Sequence, residues 1–155
     1  MTEPSHYSQI LSTLLNGWGT YVARFRHLSA AEQAAFLERQ GYARLADLLA
    51  HVAAWWGDGL ERMKLLRADP DLPPRENPQG VPSGYDVDSF NARAVEGVRH
   101  LEESDVIALF DSRREALLAF VRGLAPGELE RNPALSKRLH VEVISHLREH
   151  EISRQ

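Results

Sequence analysis

The chain contains no cysteine. That absence excludes disulfides, cysteine-type zinc fingers, iron–sulfur clusters and a thiol nucleophile. It leaves the redox compartment open, and a cytoplasmic location is the expectation. No stretch approaches the roughly 18 uninterrupted apolar residues that a transmembrane helix requires, so no membrane partner is expected. The first residues, Met1-Thr-Glu-Pro-Ser-His6, lack a basic segment followed by an apolar run, so no signal peptide is expected. There is no excess of positive charge either. Eighteen Lys and Arg stand against 22 Asp and Glu, for a formal charge of -4 and a pI near 6.0. Phosphate contacts need clusters of Lys and Arg, and no basic stripe with interleaved aromatics occurs. Nucleic acid is therefore not an expected partner. No run alternates apolar and polar residues long enough to make a sheet, and no internal repeat is visible. A glycine-rich phosphate loop and a strand–turn–helix serine motif are both missing.

What remains reads as helix. Ile10, Leu11, Leu14, Leu15, Trp18 and Val22 fall at helical spacing and predict a first helix over about residues 5–27. Ser29-Ala-Ala-Glu32 has the form of a capping box, and Gly41 is a natural stop for the short helix it opens. Leu45, Leu48, Leu49, Val52, Trp56, Leu60 and Met63 form the apolar stripe of a helix over residues 43–66. Gly57 and Gly59 lower its propensity and leave room for a kink. Five of the eight prolines then fall between Ala68 and Asp88, where no helix can run through them. This is expected to be a long crossover loop, of the kind that is often functional. Helix is expected again from Asp88 to His100, and from Ser104 as N-cap, with Ile107, Phe110, Leu117 and Val121 facing a core. Residues 124–136 read as a linker and 137–153 as the last helix. At 155 residues this is most simply one all-α domain, a four-helix bundle with its crossover between the second and third helices.

The last helix holds the most informative spacing. His146 and His150 lie four residues apart, which stacks their rings on one helical face with Cβ atoms about 5–6 Å apart. Two neutral imidazoles so placed can share a divalent metal ion, as in the H-E-x-x-H motif. His51, at the edge of the second helix's apolar stripe, is the best third ligand. Glu142 sits one turn before His146 and is a candidate fourth ligand, a base acting on a bound nucleophile, or a partner that orients an imidazole. Asp47 stands in the same relation to His51. Trp55, one turn beyond His51, fits either an apolar pocket wall or the core, whereas Trp56 falls on the core stripe. Tyr85, Asp86 and Asn91 fit either a polar pocket rim or an ordinary helix start with acids complementing the dipole. The same His spacing also fits a solvated face. His6, His27, His100 and His140 have no comparable partner in the sequence and read as surface or packing residues.

These residues occur in an ordered set: Leu45, Leu48, Leu49, His51 and Trp55, then Tyr85, Asp86, Asn91 and Arg93. Phe110, Ser112, Arg113, Leu117 and Leu118 follow, and then Glu142, Ile144, His146 and His150. From Ile10 to Glu151 the chain resembles the DinB-like four-helix-bundle superfamily. It is most similar to the ClbS/DfsB branch, whose namesake is a self-resistance protein against the genotoxin colibactin. The resemblance implies an up-up-down-down bundle and a three-histidine metal site on His51, His146 and His150. It also implies hydrolase or thiol-dependent transferase chemistry on a small reactive electrophile, and it is compatible with a homodimer. Zinc or nickel is the expected ion, although imidazole suits copper and iron as well and leaves the identity open. The competing expectation is a bundle that binds a small molecule without turning it over.

Overall fold

The structure, a computed structural model, describes residues 5–76, 82, 84 and 86–152. The described residues are all-α, without a β-strand; Glu76 and Pro82 make a single isolated antiparallel bridge. No helix among them is long and apolar enough to cross a membrane.

The first helical run covers residues 6–26. It begins as α1 (His6–Ser12), widens into a π-helical segment at Thr13–Gly17, tightens at Trp18–Thr20 and ends as α2 (Tyr21–Arg26). Ser5 caps it by accepting the Ser8 N–H. α3 (Ala30–Gln40) starts on a reciprocal Ser29–Glu32 capping box and stops at Gly41, whose φ of 82° is left-handed backbone that glycine adopts without strain.

α4 (Leu45–Ala68) is the central element. Sixteen of its 24 residues are buried, so it must be covered on most sides. It packs along α6 (Glu103–Arg122) and also contacts α5 (Val87–Gly97), α8 (Pro133–Leu139) and residues 140–145. α5 is its opposite, with no buried residue of its own. After the short α7 (Glu128–Arg131), a final run joins α8, a π-helical segment at His140–Ser145 and α9 (His146–Glu149).

Several boundaries differ from the sequence expectation. The last helix starts at Pro133, not near Lys137, because Asn132 accepts the Leu135 N–H as N-cap and Pro133 sits at the first helical position, where its fixed φ and missing N–H cost nothing. α6 opens after Glu102, two residues earlier than a Ser104 cap implies. α5 opens after Asp86 rather than at Asp88.

The buried apolar side chains form one contiguous cluster. Its aromatic centre is Trp18, Trp56 and Phe110. Trp18 meets Trp56 edge-on at 5.0 Å between ring centroids, and Trp56 stacks on Phe110 at 5.2 Å. Each such pair contributes about 0.5–1.5 kcal/mol beyond the burial of its area. Beside this apolar centre lies a buried ionic cluster. Arg62 reaches Glu76 at 2.8 Å, and Arg138 reaches Glu142 at 2.9 Å and both Glu76 and Asp58 at 3.3 Å. Glu76 thereby ties the segment after α4 to two helices at once.

Gly57 and Gly59 do not break α4, which is helical throughout. Gly59 has a packing reason: a Cβ there would lie 2.9 Å from Cγ and Cδ of Glu142, whose side chain Arg138 pins. At Gly57 a Cβ would meet only the Arg113 guanidinium, 3.4 Å away. The two positions should therefore respond oppositely to alanine. Gly57→Ala is expected to raise stability by about 0.5–1 kcal/mol through helix propensity. Gly59→Ala is expected to lower it by about 1–3 kcal/mol through overpacking, as read by urea denaturation.

Candidate metal centre

α4 carries His51, and the final run carries His146 and His150 one turn apart, as their spacing requires. All three are buried, each 7% exposed. The sequence placed them at the edge of an apolar stripe; in the structure α3, α5 and the aromatic cluster close over that edge. The Nε2 atom of His51 lies 3.1 Å from Nε2 of His150 and 3.3 Å from Nε2 of His146.

The protons on these rings follow from their outer partners. Trp55 Nε1–H, a pure donor, binds Asn91 Oδ1 at 2.7 Å, which fixes that amide's orientation. The same oxygen lies 2.8 Å from His51 Nδ1, so His51 donates from Nδ1 and keeps a lone pair on Nε2. Gln40 donates its amide to the Glu149 carbonyl, so its Oε1 accepts from His150 Nδ1 at 2.6 Å. His146 is bonded to the Glu142 carbonyl one turn back, through the nitrogen that does not face His51. Three Nε2 lone pairs therefore converge with no proton among them.

That arrangement repels itself unless a cation sits between the nitrogens. Two nitrogens each about 2.0–2.1 Å from one zinc at a tetrahedral angle stand about 3.3 Å apart, close to the 3.1 and 3.3 Å separations here. All three ligand atoms fall within 4.8 Å of one another. The donor set fits a divalent ion held by three imidazoles, each with its outer N–H anchored as such ligands require. Burial favours the neutral rings. It lowers His51 despite the Asn91 bond, and lowers His146 well below the ordinary value, with His150 and His51 adding to the effect. His150 is brought down to about 4 by burial and then by His51.

The centre opens on a cavity of about 370 Å³. Trp55, Asn91 and Glu142 line it together with Tyr42, Val141 and Glu149. Trp55 is a wall, with Phe90 against it at 4.1 Å between centroids. Glu142 is buried, and its carboxyl is pushed up to about 7 by desolvation, which outweighs the Arg138 guanidinium bound to it. Asp86 is not a rim residue. It is exposed and accepts from the Ser89 N–H and hydroxyl as the N-cap of α5, the role of an ordinary helix start. Tyr85 lies outside the described residues. Asp47 does not serve His51 but pairs with Arg44 at 2.7 Å.

No apolar stripe or histidine spacing points to Gln40 or Arg138, or to the packing of Gly59 against Glu142. Gln40 ends α3, far along the chain from His150, and no local pattern marks it. Arg138 lies one turn before Glu142, a spacing that could have raised it. Spacing gives His6 and His140 no partner, yet His6 Nε2 lies 3.2 Å from His140 Nδ1, and Ser136 Oγ lies 2.9 Å from His6 Nδ1. Their pairing ties α1 to the final run across 134 residues of sequence, which no spacing rule could reveal.

The perturbed groups make stability depend on pH in two opposed ways. An unfolded imidazole takes up a proton near 6.5, whereas the buried ones resist it, so metal-free protein loses stability as pH falls from about 6.5 toward about 4. Glu142 acts oppositely. Its folded carboxyl keeps its proton up to about 7 while the unfolded one releases it near 4.5, so stability is lost as pH rises across that window. Glu142→Gln removes this opposition. Denaturant titrations of the metal-free variant should show a steeper loss on acidification than the parent protein does.

A family model described as the DinB superfamily matches residues 13–152, most of the chain. No curated protein and no solved structure matches it.

Proposed function

Since the chain belongs to the DinB superfamily, we propose that it is a divalent-metal protein acting on a small reactive electrophile, by hydrolysis or by thiol-dependent transfer. The observation that carries this reading is the convergence of three unprotonated Nε2 atoms at the mouth of a cavity. The ordered motifs described above support assignment to the ClbS/DfsB branch, with a detoxification or self-resistance role. In the same reading residues 6–26, α4, α6 and residues 133–149 are the four helices of an up-up-down-down bundle, and the proline-rich stretch after α4 is its crossover.

His51, His146 and His150 would hold the ion, with zinc or nickel favoured among the divalent metals that imidazole suits. A divalent ion there supplies Lewis acidity and so a nucleophile near neutral pH. The protein's own groups do the rest. Asn91 and Gln40 hold the His51 and His150 rings in the tautomer that aims Nε2 inward. Glu142 is the proton acceptor: Arg138 engages its Oε1, and its Oε2 takes the proton of the attacking water or thiol. Burial holds this carboxyl at about 7 without an ion, and the charge of a bound ion would favour the ionised form that accepts a proton. Trp55 and Tyr42 flank the electrophile and keep bulk water away from it.

Elemental mass spectrometry on untagged protein tests the first step. Near-stoichiometric zinc or nickel is expected, and is expected to be lost in both His51→Ala and His146→Ala. Unchanged metal content in His146→Ala would sink the proposal, and with it the assignment of a catalytic site. The second step is tested by Glu142→Gln, which should retain metal and lower turnover of an electrophilic ester or thioester probe by about 100-fold or more. In the metal-loaded parent protein the rate should rise with pH as Glu142 loses its proton, at a pH that the ion's charge draws below the metal-free value of about 7, and the variant should lack that limb.

A further inference from the structure

Two buried arginines behind Glu142 and Glu76 are committed to carboxylates. Among the described residues the only charged side chains lining the cavity are Glu142 and Glu149; no Lys or Arg does. Arg138 is the guanidinium behind Glu142, but it is 1% exposed and its three nitrogens are committed to Glu142, Glu76 and Asp58. Arg62 is buried against Glu76 and the Pro73 carbonyl. The sequence from Asn77 to Tyr85, which follows Glu76, contains no Lys, Arg or His. The rest of the lining is apolar or neutral, with Trp55, Tyr42, Val87, Val141 and Pro82 prominent.

From this lining we infer that the cavity selects uncharged or amine-bearing, partly aromatic small molecules and excludes those whose distal end carries a carboxylate. A carboxylate-bearing thiol such as glutathione falls in the excluded class. The inference rests on the reading of His51, His146 and His150 as a metal centre. A cation there attracts an anionic head group directly, so the selection acts at the far end of the ligand, against the walls. A carboxylate moved there from water finds no positive partner and meets two carboxyl groups, whereas an ammonium or a hydroxyl meets acceptors.

Three para-substituted benzohydroxamates isolate the far end. Each presents the same metal-binding hydroxamate, and the rigid ring keeps an aminomethyl, hydroxymethyl or carboxylate substituent away from the ion. Isothermal titration of the zinc-loaded full chain should find the carboxylate compound weaker than the other two by about tenfold or more. Glu149→Lys, an exposed substitution, should narrow that gap, and millimolar glutathione should fail to displace the hydroxymethyl compound. Equal affinities for all three compounds, each dependent on zinc, would overturn the selection and leave the metal centre standing. Binding that depends on neither zinc nor His146 would overturn the metal reading, and the selection with it.

Discussion

Three imidazole lone pairs aimed at one point are the constraint to which the surrounding structure answers. Nitrogens 3.1 and 3.3 Å apart with no shared proton repel each other, so the rings must be held from behind. Asn91, Gln40 and the Glu142 carbonyl hold them at the outer nitrogen. The backbone that carries them is held as well. Trp56 donates to the Glu142 carbonyl at 2.9 Å, Trp18 to the Val143 carbonyl at 2.9 Å and Tyr21 to the His150 carbonyl at 2.6 Å. Two of these carbonyls belong to the π-helical segment 140–145, where the regular ladder is interrupted and oxygens become available to side chains. The aromatic cluster is thus both core and scaffold: it buries area, and it fixes the height and rotation of the helix that carries two histidines.

A second constraint is the isolation of Arg138. A guanidinium that is 1% exposed persists only when its donors are satisfied, and three carboxylates satisfy this one. The geometry this requires reaches into α4, where only glycine at position 59 lets the Glu142 side chain lie against the helix. Through Glu76 it also reaches the segment after α4, which Arg62 grips from the other side. One buried cation therefore joins a carboxyl of the cavity, the central helix and the start of the proline-rich stretch. A buried ion cluster is a weak source of stability, since desolvation cancels much of its Coulombic gain. What it contributes here is a fixed position for Glu142.

Features that depend on short-range periodicity were legible from sequence. The helical character, the Ser29–Glu32 capping box, the end of α4 near the prolines and the i, i+4 histidine pair all follow from local spacing. His51 was reachable because it sits beside an apolar stripe that had to face another helix. What stayed hidden was set by packing between distant segments. Nothing near Gln40 announces that it meets His150, 110 residues on. Gly59 reads as a helix weakness until Glu142 is seen against it. Asp86 and Asn91 look alike as polar residues at a helix start, yet Asp86 caps α5 and Asn91 turns inward to His51 and Trp55. Sequence could name that pair but not divide its roles, because the division depends on which face of α5 meets α4.

Electrostatics join these threads. At neutral pH the three histidines are uncharged, because burial and their mutual proximity oppose protonation. Glu142 hovers near its own midpoint, and its charge is answered by an arginine on the side away from the cavity. Without an ion the cavity therefore has no source of positive potential among the described residues, and with one it has a single source, at the apex of the histidine triangle. On the proposed selection, a ligand's most electron-rich atom would go to the histidines and its neutral or basic end would face Trp55, Tyr42 and Glu149. A site with an arginine in its wall would hold an anionic ligand by its tail and blur this orientation. Arg138 is occupied within the protein, so it fixes the position of Glu142 without adding a positive charge to the cavity lining.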